Sequence, residues 1–305
     1  MDIVVVGDLN VDLVLTGLPG LPAYRELRVA KGMRFALGGS SGIFACNVAR
    51  LGASVGFVGK VGEDEFGDFL RRRLEERGVD TSHLALDRIE RTGICISMSF
   101  PEEYAMVSYA GIRETFRVED VDFAYVKTAR HLHMSGFYLL PGMWAGAVKL
   151  FREAKQAGLS TSLDPDHDAT GKWDGGIREL LPYVDFFFPN EHESLSITGA
   201  DDFDTAAARL RDLAATTVIK RGAEGVLVVS GSTTVSAPAF RITPVDTTGA
   251  GDSFNAGFVF QFLQGAPLEQ CIRWGNACGA LSTQALGGTE SFPNISEVER
   301  FLASR

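Results

Sequence analysis

From Val118 onward, extended runs and helical patterns take turns along the chain: a helix to Ala129, a strand from His131 to Ser135, a helix from Met143 to Ala157, and strands at Leu159 to Leu163 and Asp185 to Phe188. Alternation of this kind specifies right-handed βαβ units around a parallel sheet. Ile3 to Val6 is a continuous β-branched run ending at Gly7, the pattern of a strand buried on both faces of such a sheet. At 305 residues the chain is long for one core but within reach of an α/β domain, so one large domain with an appendage and two domains both fit its length.

The stretch Asp246 to Phe258, DTTGAGDSFNAGF, follows an extended run, Phe240 to Val245, and opens a helix predicted to be amphipathic, with Phe254, Phe258 and Phe262 at helical spacing. Gly249, Ala250 and Gly251 sit where strand would turn into helix, so backbone N–H groups can approach a ligand unobstructed. A helix start also offers unpartnered N–H groups and the positive end of the dipole, which together suit a phosphoryl group. Asp252 lies inside that first turn. A carboxylate there would repel phosphate unless it has a task, such as orienting and deprotonating a hydroxyl. A Thr-capped helix start with a glycine turn is the structural alternative.

Other polar groups fall at strand ends. Asn10 and Asp12 leave the first strand on one side, at the carboxyl end of the sheet where α/β proteins bind ligands; an Asx-rich loop is the alternative. Gly38 and Gly39 precede a helix running through Leu51 and let backbone come close to a ligand. Asn190 and Glu193 have the spacing of a capping box. Asp64 is a predicted helix cap, and Arg71 to Arg73, with Glu75 and Glu76 following, read as a solvated helix face. No GxGxxG follows the first strand and no GxxxxGK[ST] occurs.

Composition narrows the partners. A formal net charge of −10 argues against nucleic acid and anionic membranes, and no apolar run approaches a membrane span. MDIVVVGDLN reads as a first strand and not as a signal peptide, which points to the cytoplasm. Cys46, Cys95, Cys271 and Cys278 lack CxxC spacing and are expected to be buried thiols. His131 and His133 share a strand face and are expected in the core or at its rim.

Three motifs, GGSSGIFACNVARLG from Gly38, GKVGEDEFG from Gly59 and DTTGAGD from Asp246, resemble the signatures of the ribokinase-like (PfkB) sugar and nucleoside kinases, and the likeness runs from Ile3 nearly to the C-terminus. The resemblance implies a three-layer α/β/α sandwich with a mostly parallel central sheet plus a small β-sheet lid. The lid is expected from residues 13–35, with extended pieces at Leu13 to Thr16 and Leu27 to Val29, and from residues 92–112, a hairpin of Gly93 to Phe100 and Tyr104 to Gly111 turning at Pro101, Glu102 and Glu103. Residues 1–12, 36–91 and 113–305 are left for the kinase domain. The implied activity is transfer of the γ-phosphoryl group of ATP, with Mg²⁺, to a hydroxyl of a small sugar-like acceptor. A nucleoside kinase, or a non-catalytic sugar-binding or regulatory protein that kept the fold, are the alternatives.

By the same resemblance Asp252 is the base and Gly249, Ala250 and Gly251 the anion hole, while Asn10, Asp12, Gly38 and Gly39 belong to the acceptor site. Ile43 stands where relatives commonly have an Asn that contacts the sugar, which implies an acceptor other than simple ribose, with an apolar or deoxygenated edge there. Asn190, Lys220, Gly222, Gly225 and Asn276 map to the nucleotide site, and Glu193 to a water-mediated contact with Mg²⁺. Asp246, Thr248, Ser282, Ala285, Gly287 and Ser291 map to a monovalent cation site, K⁺ being the implied ion. The lid of the family often carries a dimer contact, implying a homodimer.

Overall fold

The computed structural model describes residues 1–100 and 104–305; the expected turn at Pro101, Glu102 and Glu103 lies outside them. The chain opens with β1 (Ile3–Val6), β2 (Asn10–Thr16), β3 (Gly32–Gly38), α1 (Ser40–Arg50), β4 (Val55–Gly62), α2 (Glu65–Glu76), β5 (Asp80–Asp87), β6 (Gly93–Ser99) and β7 (Tyr104–Tyr109). It continues through α3 (Phe123–Val126), β8 (His131–Met134), α4 (Trp144–Gln156), β9 (Ser160–Leu163), α5 (Ile177–Leu180), β10 (Phe186–Phe187), α6 (Glu191–Thr198) and α7 (Phe203–Leu213). The remainder is β11 (Thr217–Lys220), β12 (Val226–Ser230), β13 (Thr233–Ala237), α8 (Ala250–Leu263), α9 (Leu268–Ser282) and α10 (Ile295–Ala303).

Nine strands form one sheet in the order β13-β12-β11-β10-β9-β8-β1-β4-β5, parallel from β11 to β5 and antiparallel at the β12 and β13 edge. The alternation of β1 shows how the layers arise: Ile3 and Val5 enter a core with α1, α2, α8, α9 and α10, whereas Val4 and Val6 enter a second core with α4, α5 and α7. A smaller sheet, β3-β2-β6-β7, stands apart. Its strand β2 starts at Asn10, so Asn10 and Asp12 ride on the smaller sheet, and the donation from Asn10 Nδ2 to Asp12 Oδ1 at 2.6 Å confirms that they share a face.

Several element expectations need correction. Leu27 to Val29 is not a strand; its place is taken by β3, which ladders against β2 from Gly32 to Gly38. The helix expected up to Ala129 reduces to a 3₁₀ turn at Val118–Asp120 and the single turn α3, because the side chain of Asp122 caps a new start by accepting from Ala124 N and Tyr125 N. Phe240 to Val245 joins no sheet. Nor is α8 amphipathic: Asp252 to Gln261 are all buried, since α1 and α9 enclose the faces that the sheet leaves open. Phe258 meets Phe186 and Phe188 edge-on with ring centroids 5.2 Å away in both cases, and burying such a ring contributes about 1.5 to 3 kcal/mol. The sheet edges β5 and β13 were not foreseen.

The structural readings of several polar residues hold. Asp64 caps α2 through Phe66 N and Gly67 N and also takes the Thr92 N–H, tying α2 to the smaller sheet. Arg71 pairs with Asp68 and Arg73 with Glu76 on the surface of α2. His131 and His133 are fully buried between serines, with burial pushing both well below the ordinary imidazole range, and all four cysteines are buried free thiols. Among the described residues no helix is long and apolar enough to cross a membrane.

Candidate active site

The carboxyl ends of β1, β9 and β11 deliver Asp8, Asp164 and Lys220 to one end of the sheet, where ligands of α/β folds bind. Asp8 is fully buried; its Oδ1 accepts from Ser41 N at 3.0 Å, and Oδ2 has no partner among the described residues. Burial pushes its carboxyl up to about 6 against the pull of Arg113, and burial likewise pushes Asp12 to about 6 against the Asn10 hydrogen bond. Gly38 and Gly39 are glycines for a stated reason. A Cβ on Gly38 would stand 2.3 Å from Asp12 Oδ1, and Gly39, at φ +86°, would place one 2.9 Å from Asp8 Oδ2. The Ser40 hydroxyl donates to Asp166 Oδ2 at 2.5 Å, and Asp166 itself has φ +58°, a left-handed conformation uncommon for a side-chain-bearing residue.

The start of α8 forms the second part. Gly249 is the N-cap at φ +70°, where any other residue would be strained. Asp252 is 8% exposed, and burial, then Asp164, hold its carboxyl well above the ordinary range while Lys220 opposes them. Lys220 Nζ donates to Asp164 Oδ2 at 2.5 Å and lies 3.2 Å from the Cβ position of Gly251, placing a cation against the helix start. Burial works against that ammonium, but Asp164 and Glu193 outweigh it and keep it charged. Asn255, one turn along α8, donates to the same Asp164 oxygen at 2.6 Å.

Beside Lys220, the Asn190 and Glu193 capping box is formed in full: Glu193 accepts from Asn190 N at 2.8 Å and from Nδ2 at 2.6 Å. Burial, then Asp164, push Glu193 up to about 8. Next to this cluster opens a cavity of about 510 Å³ lined by Lys220, Gly222, Gly225, Ala250, Gly251, Phe254 and Asn276. The structure therefore brings four of the five expected nucleotide residues to one cavity with Ala250 and Gly251 of the helix start, while Asn190 is committed to Glu193 and does not line it. Farther along, Asp246 accepts from Thr248 N at 2.9 Å and Gly287 N at 2.8 Å, and Ser291 donates to the Ser282 carbonyl, so these expected cation residues tie the loop before α8 to the segment after α9 that also carries Ala285.

A model described as pfkB family carbohydrate kinase matches residues 1–295. The chain belongs to the PfkB family. It is 30% identical over 300 residues to an ATP-dependent ribose-1-phosphate kinase of Halopiger xanaduensis, covering 98% of this chain and 97% of that one, and 30% identical to a ribokinase of Haemophilus influenzae with the same coverage. The solved ribokinase of Thermotoga maritima superposes with a TM-score of 0.86 at 27% identity over 99% of both chains, and that of Arabidopsis thaliana, complexed with ribose and ATP, with 0.85 at 25% identity over 99% of this chain and 98% of that one. As a PfkB protein this chain is a carbohydrate kinase, a phosphotransferase with an alcohol group as acceptor.

Ile43 is buried against the turn that opens α8: its methyl groups lie 3.1 Å from the Cβ position of Gly249 and 2.7 Å from that of Gly288. Its neighbour Asn47 is also committed, donating to Ser253 Oγ and the Gly288 carbonyl. Sequence reasoning assigned no role to Asp8, Asp164, Asp166, Asn255 or Arg113. The Asp164-Pro165-Asp166 run directly after β9 was the available signal, since carboxylates at the carboxyl end of a parallel strand face the ligand crevice.

The raised carboxyls near 6 give a pH prediction. A carboxylate accepts from a hydroxyl best when ionised, so ionisation of Asp12 should add a rise in kcat/KM through about pH 6, and the carboxyl of Asp252, held well above the ordinary range, should extend the acid limb to higher pH. Stability should move the other way. Between the ordinary carboxylate range and about 6 the folded protein holds protons that the unfolded chain has released, so this contribution is present at low pH and lost on rising through about 6. A kcat/KM flat across that window would show that the Asp12 carboxyl takes no part in acceptor binding.

Proposed function

We propose that this carbohydrate kinase transfers the γ-phosphoryl group of ATP to a hydroxyl of a sugar-like acceptor held by Asn10, Asp12, Gly38 and Gly39, with Asp252 as the base. One observation carries the reading. The turn at Gly249 to Asp252 faces the 510 Å³ cavity with Ala250 and Gly251, while the Asp252 carboxyl feels the charges of Asp164, Asp166 and Asp8 on the acceptor side. Phosphoryl transfer needs positioning and charge stabilisation more than a strong base. Asp252 orients the hydroxyl and takes its proton as the bond forms, and the amides of Gly249, Ala250 and Gly251 with the Lys220 ammonium hold the transferring group. Gly222, Gly225 and Asn276 take the nucleoside part.

Mg²⁺ fits as a water- and phosphate-held ion. Among the described residues no group of three His, Cys, Asp or Glu could cage a metal directly, and Glu193, held up near 8 with Asp164 beside it, marks a spot where added positive charge is favoured. The ion would neutralise charge on the phosphates. We assign a monovalent cation to the clasp of Asp246, Thr248, Ser282, Ala285, Gly287 and Ser291, which would order the loop entering the anion turn. Activity should therefore rise severalfold with K⁺, and equal rates in K⁺ and a tetraalkylammonium salt would remove the assignment.

The smaller sheet serves as the lid over the acceptor and as the contact of a homodimer; its Met33 and Val107 are 64% and 59% exposed, apolar surface that a second copy would cover. Four unpaired thiols fit a reducing compartment, the cytoplasm. The test of the reading is ADP release across sugars, sugar phosphates and nucleosides. ADP formed with a sugar-like acceptor supports it, and a nucleoside as the sole productive acceptor replaces it.

A further inference from the structure

Arg113 is buried, 7% exposed, in the 3₁₀ turn Gly111–Glu114 that follows the smaller sheet. Gly111 at φ +53° makes the turn possible, since a Cβ there would lie 2.3 Å from the Arg91 carbonyl oxygen. The turn aims the side chain back under the sheet, with Arg113 Nε 3.2 Å from the Cβ position of Gly93, and Gly93 is the residue laddered against Asn10. Two bonds fix the plane of the guanidinium: Nε donates to the Ala110 carbonyl at 3.3 Å and Nη2 to Ser108 Oγ at 2.6 Å. Among the described residues no carboxylate forms an ion pair with it and Nη1 donates to no protein atom, although Asp8 and Asp12 are both near enough to feel its charge.

A buried guanidinium that closes no direct ion pair and leaves one nitrogen undonated is costly unless something supplies the missing contact. Asp8 and Asp12 feel its charge but close no ion pair with it among the described residues, their Oδ1 atoms accepting instead from Ser41 N and from Asn10 Nδ2. What is left is a fixed, half-used guanidinium fork opening beside the acceptor residues, the geometry suited to a planar or tetrahedral oxyanion. We propose that Arg113 anchors an anionic group of the acceptor, so that the preferred substrate is a sugar carrying a carboxylate or a phosphate ester in addition to the hydroxyl that is phosphorylated. This rests on the reading of the Asn10 and Asp12 cluster as the acceptor site. The apolar Ile43 agrees with it, because a site that lacks an amide there gains its acceptor affinity elsewhere.

The test compares matched pairs on the wild-type protein, ribose with ribose 1-phosphate and a hexose with its sugar acid, by calorimetric binding and by kcat/KM. At least one charged member should exceed its neutral parent by about tenfold or more, and the pair that shows it identifies phosphate or carboxylate as the group bound. In Arg113→Met the charged-to-neutral ratio should fall by roughly 10- to 100-fold, with KM carrying most of the loss, and Arg113→Lys should restore part of it. Neutral parents matching or exceeding their charged partners in the wild type overturn the proposal, as does a ratio that stays within threefold in Arg113→Met. Binding decides the matter even where no ADP forms, in which case the proposed transfer at Asp252 fails for these acceptors and not this inference. Should Arg113→Met not fold, the wild-type comparison of charged and neutral acceptors decides alone, by the same criterion.

Discussion

Asp252→Asn yields a folded protein whose turnover is lower by on the order of 10²-fold or more. Asn keeps the size of the side chain but cannot take the proton of the acceptor hydroxyl. It also removes a buried carboxylate from the neighbourhood of Asp164, Asp166 and Asp8, so the variant should melt no lower than the parent and bind nucleotide at least as well. That combination, intact fold and binding with lost chemistry, is what a structural helix cap would not produce. Turnover within threefold of wild type would remove Asp252 from the mechanism.

Lys220→Met is expected to damage stability and catalysis together. Lys220 is the cation bonded to Asp164, and removing one partner of a buried pair costs about 3 to 5 kcal/mol because the other charge is stranded. With Lys220 gone, Asp252 also loses the main group that draws its carboxyl down, so the acid limb of the pH–rate profile should move to higher pH. The KM for ATP should rise as well, since the ammonium faces the cavity at the helix start. Adding Asp164→Asn should recover much of the stability but none of the ATP affinity, a double-mutant comparison that separates the two roles. Unchanged melting in the single variant would show that the 2.5 Å contact contributes nothing.

Local signals carried the parts of this molecule that the sequence made legible. The β-branched run of β1, the capping box at Asn190 and Glu193, and the glycine turn before Asp252 each depend on residues within a few positions of one another. The polar cluster at the site does not: Lys220 and Asn255 reach Asp164 across 56 and 91 positions, the first through the order of β9, β10 and β11 in the sheet and the second through the packing of α8. Arg113 was missed because a lone arginine in a polar turn looks solvated, and its burial follows from the smaller sheet folding over it. For α8 the spacing of Phe254, Phe258 and Phe262 marked one buried face, yet Ala256, Val259 and Phe260 on its other sides are buried too, which no single-face pattern reveals.

The central claim, that the Gly249 to Asp252 turn transfers a phosphoryl group from ATP to a sugar hydroxyl, is tested most directly by following γ-labelled ATP through a single turnover with the best acceptor. The account predicts label on the acceptor in step with ADP formation in the wild type, and label left on ATP in Asp252→Asn over the same time. Label released only as free phosphate in the wild type, or carried to the acceptor as fast in Asp252→Asn, would contradict it.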